Sequence, residues 1–311
     1  MKKSDKALLV IFSAIVLTLG TLIYVIPQKD FSEGENRYLA KLEAPRIDKI
    51  LNGDHAKNIS DFYSDQFPLR SSATSLYSLS EKALGKREIG GVILYKDQLI
   101  ARQNKKSGYL PPVQAIVVES KFSLFENKSE ELSLYYKTDH HRTTAGAYLL
   151  YIDACKLLGV DPYPESYFEK QIVCTDFYGT AFFKSRLPRS FVSPDAIELW
   201  RYQEDTDVTI TTDGKILSTS GFYDFSKLSI ADKYSVFLGG NYAFASIRST
   251  PEKPSLLLIK DSFANAVVPF LALHFNIDLV DPRYATPTQM SDALNSRYDH
   301  YLFIGCLDSF N

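Results

Sequence analysis

The sequence predicts an α/β fold in which a parallel sheet is flanked by helices, and two patterns carry that reading. Past residue 255, strand-like and helix-like stretches alternate with short connections: Leu256 to Ile259, a helix from Phe263 with Val267, Phe270 and Leu271 on one side, then Ile277 to Val280, Pro287 to Asn295, and Tyr301 to Gly305. Alternation of this kind places strands side by side in a parallel sheet with helices on its faces. Upstream, Ala147, Leu150, Tyr151, Ala154 and Leu158 recur at helical spacing and supply a further packed helix. With 311 residues, 45% of them hydrophobic, the chain can bury a substantial core in one or two domains.

The first element in the chain is of another kind. Positions 7 to 26 carry no charge, and Lys2, Lys3 and Lys6 precede them. Twenty residues at helical rise cross a hydrocarbon core of roughly 30 Å, and the flanking lysines keep residues 1–6 cytoplasmic. One transmembrane anchor over 7–26 with the bulk of the chain outside the cell membrane is therefore expected. A cleaved signal peptide is the competing reading; Gly20-Thr21-Leu22 makes a poor small-x-small cleavage site.

Residues 27–109 form a juxtamembrane region. Phe62, Tyr63 and Phe67 read as one face of a helix ending before Pro68, followed by a helix over Ala73 to Leu84. After Gly90-Gly91, Val92 to Tyr95 and Leu99 to Ala101 pair as a hairpin about Asp97, and Gln103 to Gly108 marks a boundary. The core is expected over 110–160 and 250–311, split by a β-rich insertion over 161–249. Within that insertion Asp207 to Thr211 alternates, Asp213-Gly214 signals a turn, and Tyr234 to Leu238 precedes Gly239-Gly240-Asn241. Its aromatics Phe177, Tyr178, Phe182, Phe183, Trp200, Tyr223 and Tyr242 suit either core packing or stacking on sugar rings.

Composition narrows the chemistry. A net charge of −2 gives no footprint for nucleic acid. Cys155, Cys174 and Cys306 have neither disulfide nor metal-motif spacing. No cofactor motif stands out.

Two stretches carry candidate chemistry. Lys260-Asp261-Ser262 sits between the strand ending at Ile259 and the helix from Phe263. A serine at a strand-to-helix corner has its hydroxyl pushed out at the carboxyl end of the sheet, near backbone N–H groups of the next turn. Asp261 and Ser262 equally suit a helix cap. In the second stretch Asp139 precedes His140 and His141, two of only five histidines, just before the helix containing Ala147. A serine hydroxyl needs a base beside it and a carboxylate to fix that base's tautomer, which one of these histidines and Asp139 would supply. Thr143 or Thr144 could also start the helix without chemistry, and a metal site lacks further ligands at convincing spacing. Asp281-Pro-Arg283-Tyr284 follows a strand and so points to the rim that holds Ser262, where Arg283 could meet an anionic substrate or an oxyanion.

Together, Thr138-Asp139-His140-His141, the Gly239 to Asn241 turn, Lys260-Asp261-Ser262-Phe263 with Pro269-Phe270, and Asp281 to Tyr284 resemble the DHHW family of bacterial membrane-anchored proteins. That family is similar to the SGNH hydrolase-like proteins of alginate O-acetylation. The resemblance implies an SGNH-like (flavodoxin-like), circularly permuted sheet, because the aspartate-histidine block precedes the serine block. It implies Ser262 as nucleophile, His141 as base and Asp139 as its orienting carboxylate, with Arg283, Tyr284 and His140 contacting substrate. Acetyl transfer to, or acetyl-ester cleavage on, a cell-envelope polysaccharide is the activity it implies, with a membrane-bound acyl transferase as partner. A non-catalytic accessory or glycan-binding subunit is the alternative. The chain departs from the family at Arg142, which stands where the family has tryptophan and sets a cation next to the proposed base. The stretch between Tyr109 and Tyr135, expected to supply a strand and helix beside the aspartate-histidine loop, is short, so one sheet edge is expected to be incomplete.

Overall fold

A computed structural model describes residues 3–25, 27–32, 37–68, 70–95, 97–102, 113–202, 209–212, 215–218 and 221–306. The chain forms two compact units, Met1–Gly90 with Arg186–Pro188, and Gly91–Ser185 with Arg189–Asn311. The boundary expected at Gln103 to Gly108 lies outside the described residues.

The first unit holds helix α1 (Lys3–Val25), the two-residue strands β1 (Phe31–Ser32) and β2 (Arg37–Tyr38), helices α2 (Ile47–Leu51), α3 (Asp54–Asp65) and α4 (Arg70–Ala83), and strand β3 (Glu88–Ile89). The extended segment before α2 is tied to α3 by side-chain amides and carboxylates. Gln66 accepts from the Lys29 N–H at 3.2 Å and donates to its carbonyl at 3.0 Å, while Asp65 accepts from the Ala40 N–H at 2.9 Å. Helix α1 is 23 residues long. Among the described residues no helix is long and apolar enough to cross a membrane, and Ile26, the end of the expected anchor, lies outside them.

The second unit contains β4 (Val92–Tyr95), β5 (Gln98–Ala101), β6 (Gln114–Val117), α5 (Lys121–Glu126), α6 (Thr144–Leu158), β7 (Glu169–Phe177), α7 (Thr180–Ser185), β8 (Asp195–Arg201), β9 (Thr209–Thr212), β10 (Lys215–Ser218), β11 (Phe244–Arg248), β12 (Ser255–Lys260), α8 (Val268–Leu271), β13 (Asn276–Val280), α9 (Pro287–Asn295) and β14 (His300–Gly305). Its main sheet runs β10-β9-β11-β13-β12-β14-β6. The four strands β13, β12, β14 and β6 are parallel, and β11, β9 and β10 continue them antiparallel. The sheet is thus mixed, which corrects the expectation of a parallel one. Strands β9, β10 and β11, which fall within the β-rich insertion expected over 161–249, join the sheet at the edge of β13. Alternation in sequence marks a strand but does not say which edge it joins.

Strand β12 is central, and from Leu256 to Lys260 it is buried throughout. Its side chains alternate between two cores: Leu256 and Leu258 pack with Ala147, Tyr151 and Phe270 on one face, and Leu257 and Ile259 with Ala293 and Phe303 on the other. A strand covered on both faces reads as a continuous apolar run, as the sequence shows. Fully burying each such leucine contributes roughly 1.5–3 kcal/mol. The predicted aromatics Phe177, Tyr178, Phe182 and Trp200 are buried, so core packing is their use.

Three local expectations change. The helix expected from Phe263 is a 3-10 turn, Ser262–Ala264, followed by the four-residue α8 with Pro269 in its first turn; proline cannot donate into a continuing ladder and starts the helix anew. Tyr234 to Leu238 is no strand, because Lys233–Val236 forms a 3-10 turn with consecutive residues 236–238 all buried. The short segment before Tyr135 does supply both a strand, β6, paired to β14, and a helix, α5.

Candidate active site

The parallel strands deliver the candidate residues to one rim. Ser262 lies two residues beyond β12, Asp281 follows β13 and Cys306 follows β14, all at carboxyl ends. Asp261 builds the corner. Its carboxylate accepts from the Phe263 N–H at 2.9 Å and, across to β14, from the Cys306 N–H at 2.8 Å. The cap reading of Asp261 is therefore correct, and capping is what presents Ser262. The Ser262 backbone N–H donates to no acceptor among the described residues. Residues 307–311, which continue the chain beyond β14, lie outside the described residues.

The Asp139-His140-His141 segment is held from both sides by buried charge. Beneath it, the three hydrogens of Lys121 Nζ are shared among the carbonyls of Leu99, Tyr136, Lys137 and Asp139, which lie 2.9, 2.5, 2.9 and 3.1 Å away. On the other side the Asp195 carboxylate accepts from the N–H groups of Lys137 and Thr138, both at 2.8 Å, and from the Thr138 hydroxyl at 2.5 Å. Burial pushes Lys121 down to about 7, against the pull of Asp195 and Asp139. Burial likewise raises Asp195, opposed by the hydrogen bonds from Thr138 and Lys137. Neither residue was singled out in the sequence, since a lysine and an aspartate 74 positions apart carry no shared pattern.

Within this clamp the three residues meet. His141 Nδ1 lies 2.6 Å from Asp139 Oδ1, and His141 Nε2 lies 2.9 Å from Ser262 Oγ. Asp139 Oδ1 also accepts the His141 N–H at 2.9 Å, and Oδ2 accepts the N–H and hydroxyl of Thr180 at 2.7 and 2.9 Å. Burial of Asp139 is outweighed by the two imidazoles and by these bonds, which hold its pKa well below the usual carboxylate range. Four donors fill the four lone-pair positions of a carboxylate. Asp139, His140 and His141 offer ligand atoms within 4.8 Å of one another, but Asp139 is already committed to hydrogen bonds and has no lone pair left for a metal. With Asp139 ionised, His141 Nδ1 carries the proton and Nε2 is free to take one from Ser262.

The close approach of Thr180 to Asp139 depends on Gly179, where a Cβ would lie 2.3 Å from the Asp139 Cβ and Oδ2. Tyr234 was also missed by the sequence reading. Its ring stacks on His141, with centroids 3.8 Å apart and planes 4° apart, and its hydroxyl donates to the Ser262 carbonyl at 3.2 Å. One residue thus touches both the imidazole and the serine turn. No local motif marks it.

Next to Ser262 an amide chain fixes orientations. An ammonium only donates, so Lys260 Nζ at 2.5 Å identifies the Asn265 oxygen, and Asn265 Nδ2 donates to Asn241 Oδ1 at 3.1 Å. The Asn241 NH2 is thereby turned away from this chain. Burial lowers Lys260 to about 8, against the pull of Asp281.

The remaining predicted residues stand as follows. Arg283 is held by Asp281 in a bidentate pair at 2.9 and 2.7 Å, and its guanidinium lies 5.3 Å from the ring centroid of the exposed Tyr284. His140 Nδ1 lies 2.6 Å from the Thr180 hydroxyl. Arg142 turns its guanidinium to Tyr135 Oη at 3.1 Å and Glu131 at 3.4 Å. The cation expected at the base thus serves as a packing group behind it.

Fold and site define an α/β protein with a hydrogen-bonded aspartate–histidine–serine relay at the carboxyl edge of its parallel strands. Residues 115–280, more than half of the 311-residue chain, match the DHHW protein family. The chain belongs to the DHHW family. It is similar to a DHHW family protein from Eubacterium siraeum, with a TM-score of 0.56 and 21% identity over 71% of this chain and 92% of that one. It is also similar to Bacillus cereus PatB1 with a sulfonyl adduct, with a TM-score of 0.51 and 16% identity over 70% of this chain and 94% of that one. No curated protein sequence matches it.

Proposed function

We propose that this protein is a serine-dependent acyl-ester enzyme, SGNH-like in its chemistry, that acts on acetyl groups of a cell-envelope polysaccharide. The observation that carries this reading is the unbroken relay from Asp139 through His141 to Ser262 Oγ, with bonds of 2.6 and 2.9 Å. The resemblance of its motifs to those of proteins of polysaccharide O-acetylation supports the polysaccharide. A sulfonyl adduct such as PatB1 carries is the product expected when an activated nucleophile meets a sulfonyl electrophile, and so supports the nucleophile.

In the proposed reaction Ser262 Oγ attacks the acyl carbonyl while His141 Nε2 takes its proton. The Ser262 N–H and the Asn241 NH2 stabilise the oxyanion. The C–O bond to the leaving alcohol breaks, and that alcohol receives the proton from His141. A sugar hydroxyl then gives its proton to His141 and attacks the acyl-enzyme; the new ester forms, and Ser262 Oγ recovers the proton. Asp139 keeps the imidazole in the productive tautomer throughout. A membrane-bound acyl transferase would supply the acyl group, and the uncharged N-terminal stretch would tether the protein outside the membrane.

A fluorophosphonate probe tests this. Wild-type protein should be labelled, and Ser262→Ala and His141→Ala should not. Folded wild-type protein that takes no label would favour a non-catalytic accessory or glycan-binding role instead.

A further inference from the structure

His140 stands beside the relay without belonging to it, its ring centroid 3.9 Å from that of His141. Its protonation pattern follows from counting hydrogens. Thr180 Oγ1 touches both Asp139 Oδ2, at 2.9 Å, and His140 Nδ1, at 2.6 Å. An ionised carboxylate only accepts, so the single hydroxyl proton points to Asp139. The Thr180 oxygen then accepts from His140, which places the His140 proton on Nδ1 and leaves Nε2 with a bare lone pair. That atom has no hydrogen-bond partner among the described residues, and 29% of the side chain is exposed. Burial first, and His141 next, push the His140 pKa down and keep the ring neutral.

Arg283 is close enough to His140 to act on it electrostatically. Its charge is matched by the bidentate contact to Asp281, which is fully buried while the guanidinium side chain is 24% exposed. Nε and one Nη2 hydrogen are used in that pair, leaving both Nη1 hydrogens and the second Nη2 hydrogen as donors with little net charge behind them. The groups beside the relay are therefore one neutral acceptor and one compensated donor.

We propose that His140 Nε2 recognises the acyl acceptor by accepting a hydrogen bond from a sugar hydroxyl adjacent to the one being acylated, so that the site selects a neutral vicinal diol over an acidic sugar. This inference rests on the acyl-transfer reading. Neighbouring ring hydroxyls are about a hydrogen-bond length apart, and the two imidazole rings, with centroids 3.9 Å apart, are spaced on the same scale: in this proposal His141 takes the proton of one and His140 holds the other. A uronate carboxylate would bring a negative charge toward a lone pair and toward an arginine that Asp281 already neutralises.

The test uses the full chain with p-nitrophenyl acetate as acyl donor and cellotetraose or a glucuronate-containing tetrasaccharide as acceptor. The readout is the ratio of acetyl transferred to acetyl released as acetate. The wild-type ratio should be about tenfold higher with cellotetraose, and His140→Phe should lower that ratio about tenfold, with His140→Gln restoring part of it through its amide oxygen. Equal or better transfer to the acidic sugar, transfer to neither, or a ratio unmoved in His140→Phe would overturn the proposal. Imidazole ¹⁵N spectra of the wild-type protein give an answer that needs no variant to fold: a proton on His140 Nε2 rather than Nδ1 overturns it. Absence of both p-nitrophenol release and fluorophosphonate labelling would instead sink the underlying catalytic reading, so the two failures are distinguishable.

Discussion

Gly179→Ala probes the relay without altering any of its members. An added Cβ would lie 2.3 Å from Asp139 Cβ and Oδ2 and 2.6 Å from Cγ, where ordinary contact begins at 3.4 Å. Asp139 or the Gly179 backbone must therefore retreat by about 1 Å. Asp139 has no slack in that direction, because Oδ2 is bonded to the Thr180 N–H and Oδ1 to His141 at 2.6 Å. A misplacement of this size costs about 10²-fold in rate, and full loss of the tautomer-fixing carboxylate costs about 10⁴-fold. The labelling rate constant of Gly179→Ala should thus fall by about 10² to 10⁴, bracketed by Asp139→Asn at the lower end of activity. Overpacking should also lower stability by about 1–3 kcal/mol. Fluorophosphonate labelling kinetics, with thermal unfolding monitored by circular dichroism, measure both. A folded Gly179→Ala protein labelled within threefold of the wild-type rate would refute the view that Asp139 is held by close approach of the 179–180 backbone.

Three further perturbations follow from the same geometry. Tyr234→Phe keeps the ring on His141 and should slow labelling only a few-fold, whereas Tyr234→Leu removes the stack and should slow it about tenfold or more; equal effects would show that the ring is mere filler. Burial pushes Lys121 down to about 7 in the folded protein from an ordinary value of 10.5. Between those values the unfolded chain binds the proton that the native state has lost, so stability attributable to this lysine rises with pH. The aspartate-histidine loop meanwhile loses its ammonium donor, and labelling should weaken above about pH 7 as the melting temperature holds or rises. Lys121→Met should lack that alkaline loss, and a wild-type-like pH profile in this variant would count against the clamp. Arg142→Ala removes contacts to Tyr135 and Glu131 behind the loop and should destabilise by about 1–2 kcal/mol with labelling changed less than threefold; a large loss of labelling would mean that the cation acts on His141 after all.

What the sequence revealed of this site and what it hid divide along one physical line. Ser262 was legible because it sits at a strand-to-helix corner, and Asp139 and His141 because they stand together just ahead of the helix that Thr143 caps. The central strands were legible because both faces of β12 are buried and the run is continuously apolar. Sheet order was not, because β9 and β11 alternate as strands of any antiparallel sheet do, and pairing β11 to β13 is decided by the free edge. Lys121, Asp195, Gly179 and Tyr234 were hidden for a related reason. Each acts across a long sequence separation, and nothing in its neighbours repeats.

The hidden residues explain why the legible ones can work. A loop that carries both the base and its carboxylate must present two side chains to one rim while leaving its own peptide groups away from water. Lys121 satisfies three of its carbonyls and Asp195 two of its N–H groups. Burying those charges is unfavourable in itself, and well-packed apolar residues can equal or exceed a buried ion pair in stability. What an apolar pair cannot do is dictate the direction of three of this loop's peptide groups at once. The Lys121 and Asp195 charges therefore act on the geometry of the Asp139–His141 segment more than on the stability of the fold. Replacing both together by apolar residues of similar volume should leave the melting temperature closer to wild type than either single change, while labelling stays as slow as in the single variants; recovery of the wild-type labelling rate in the double variant would refute this division of roles.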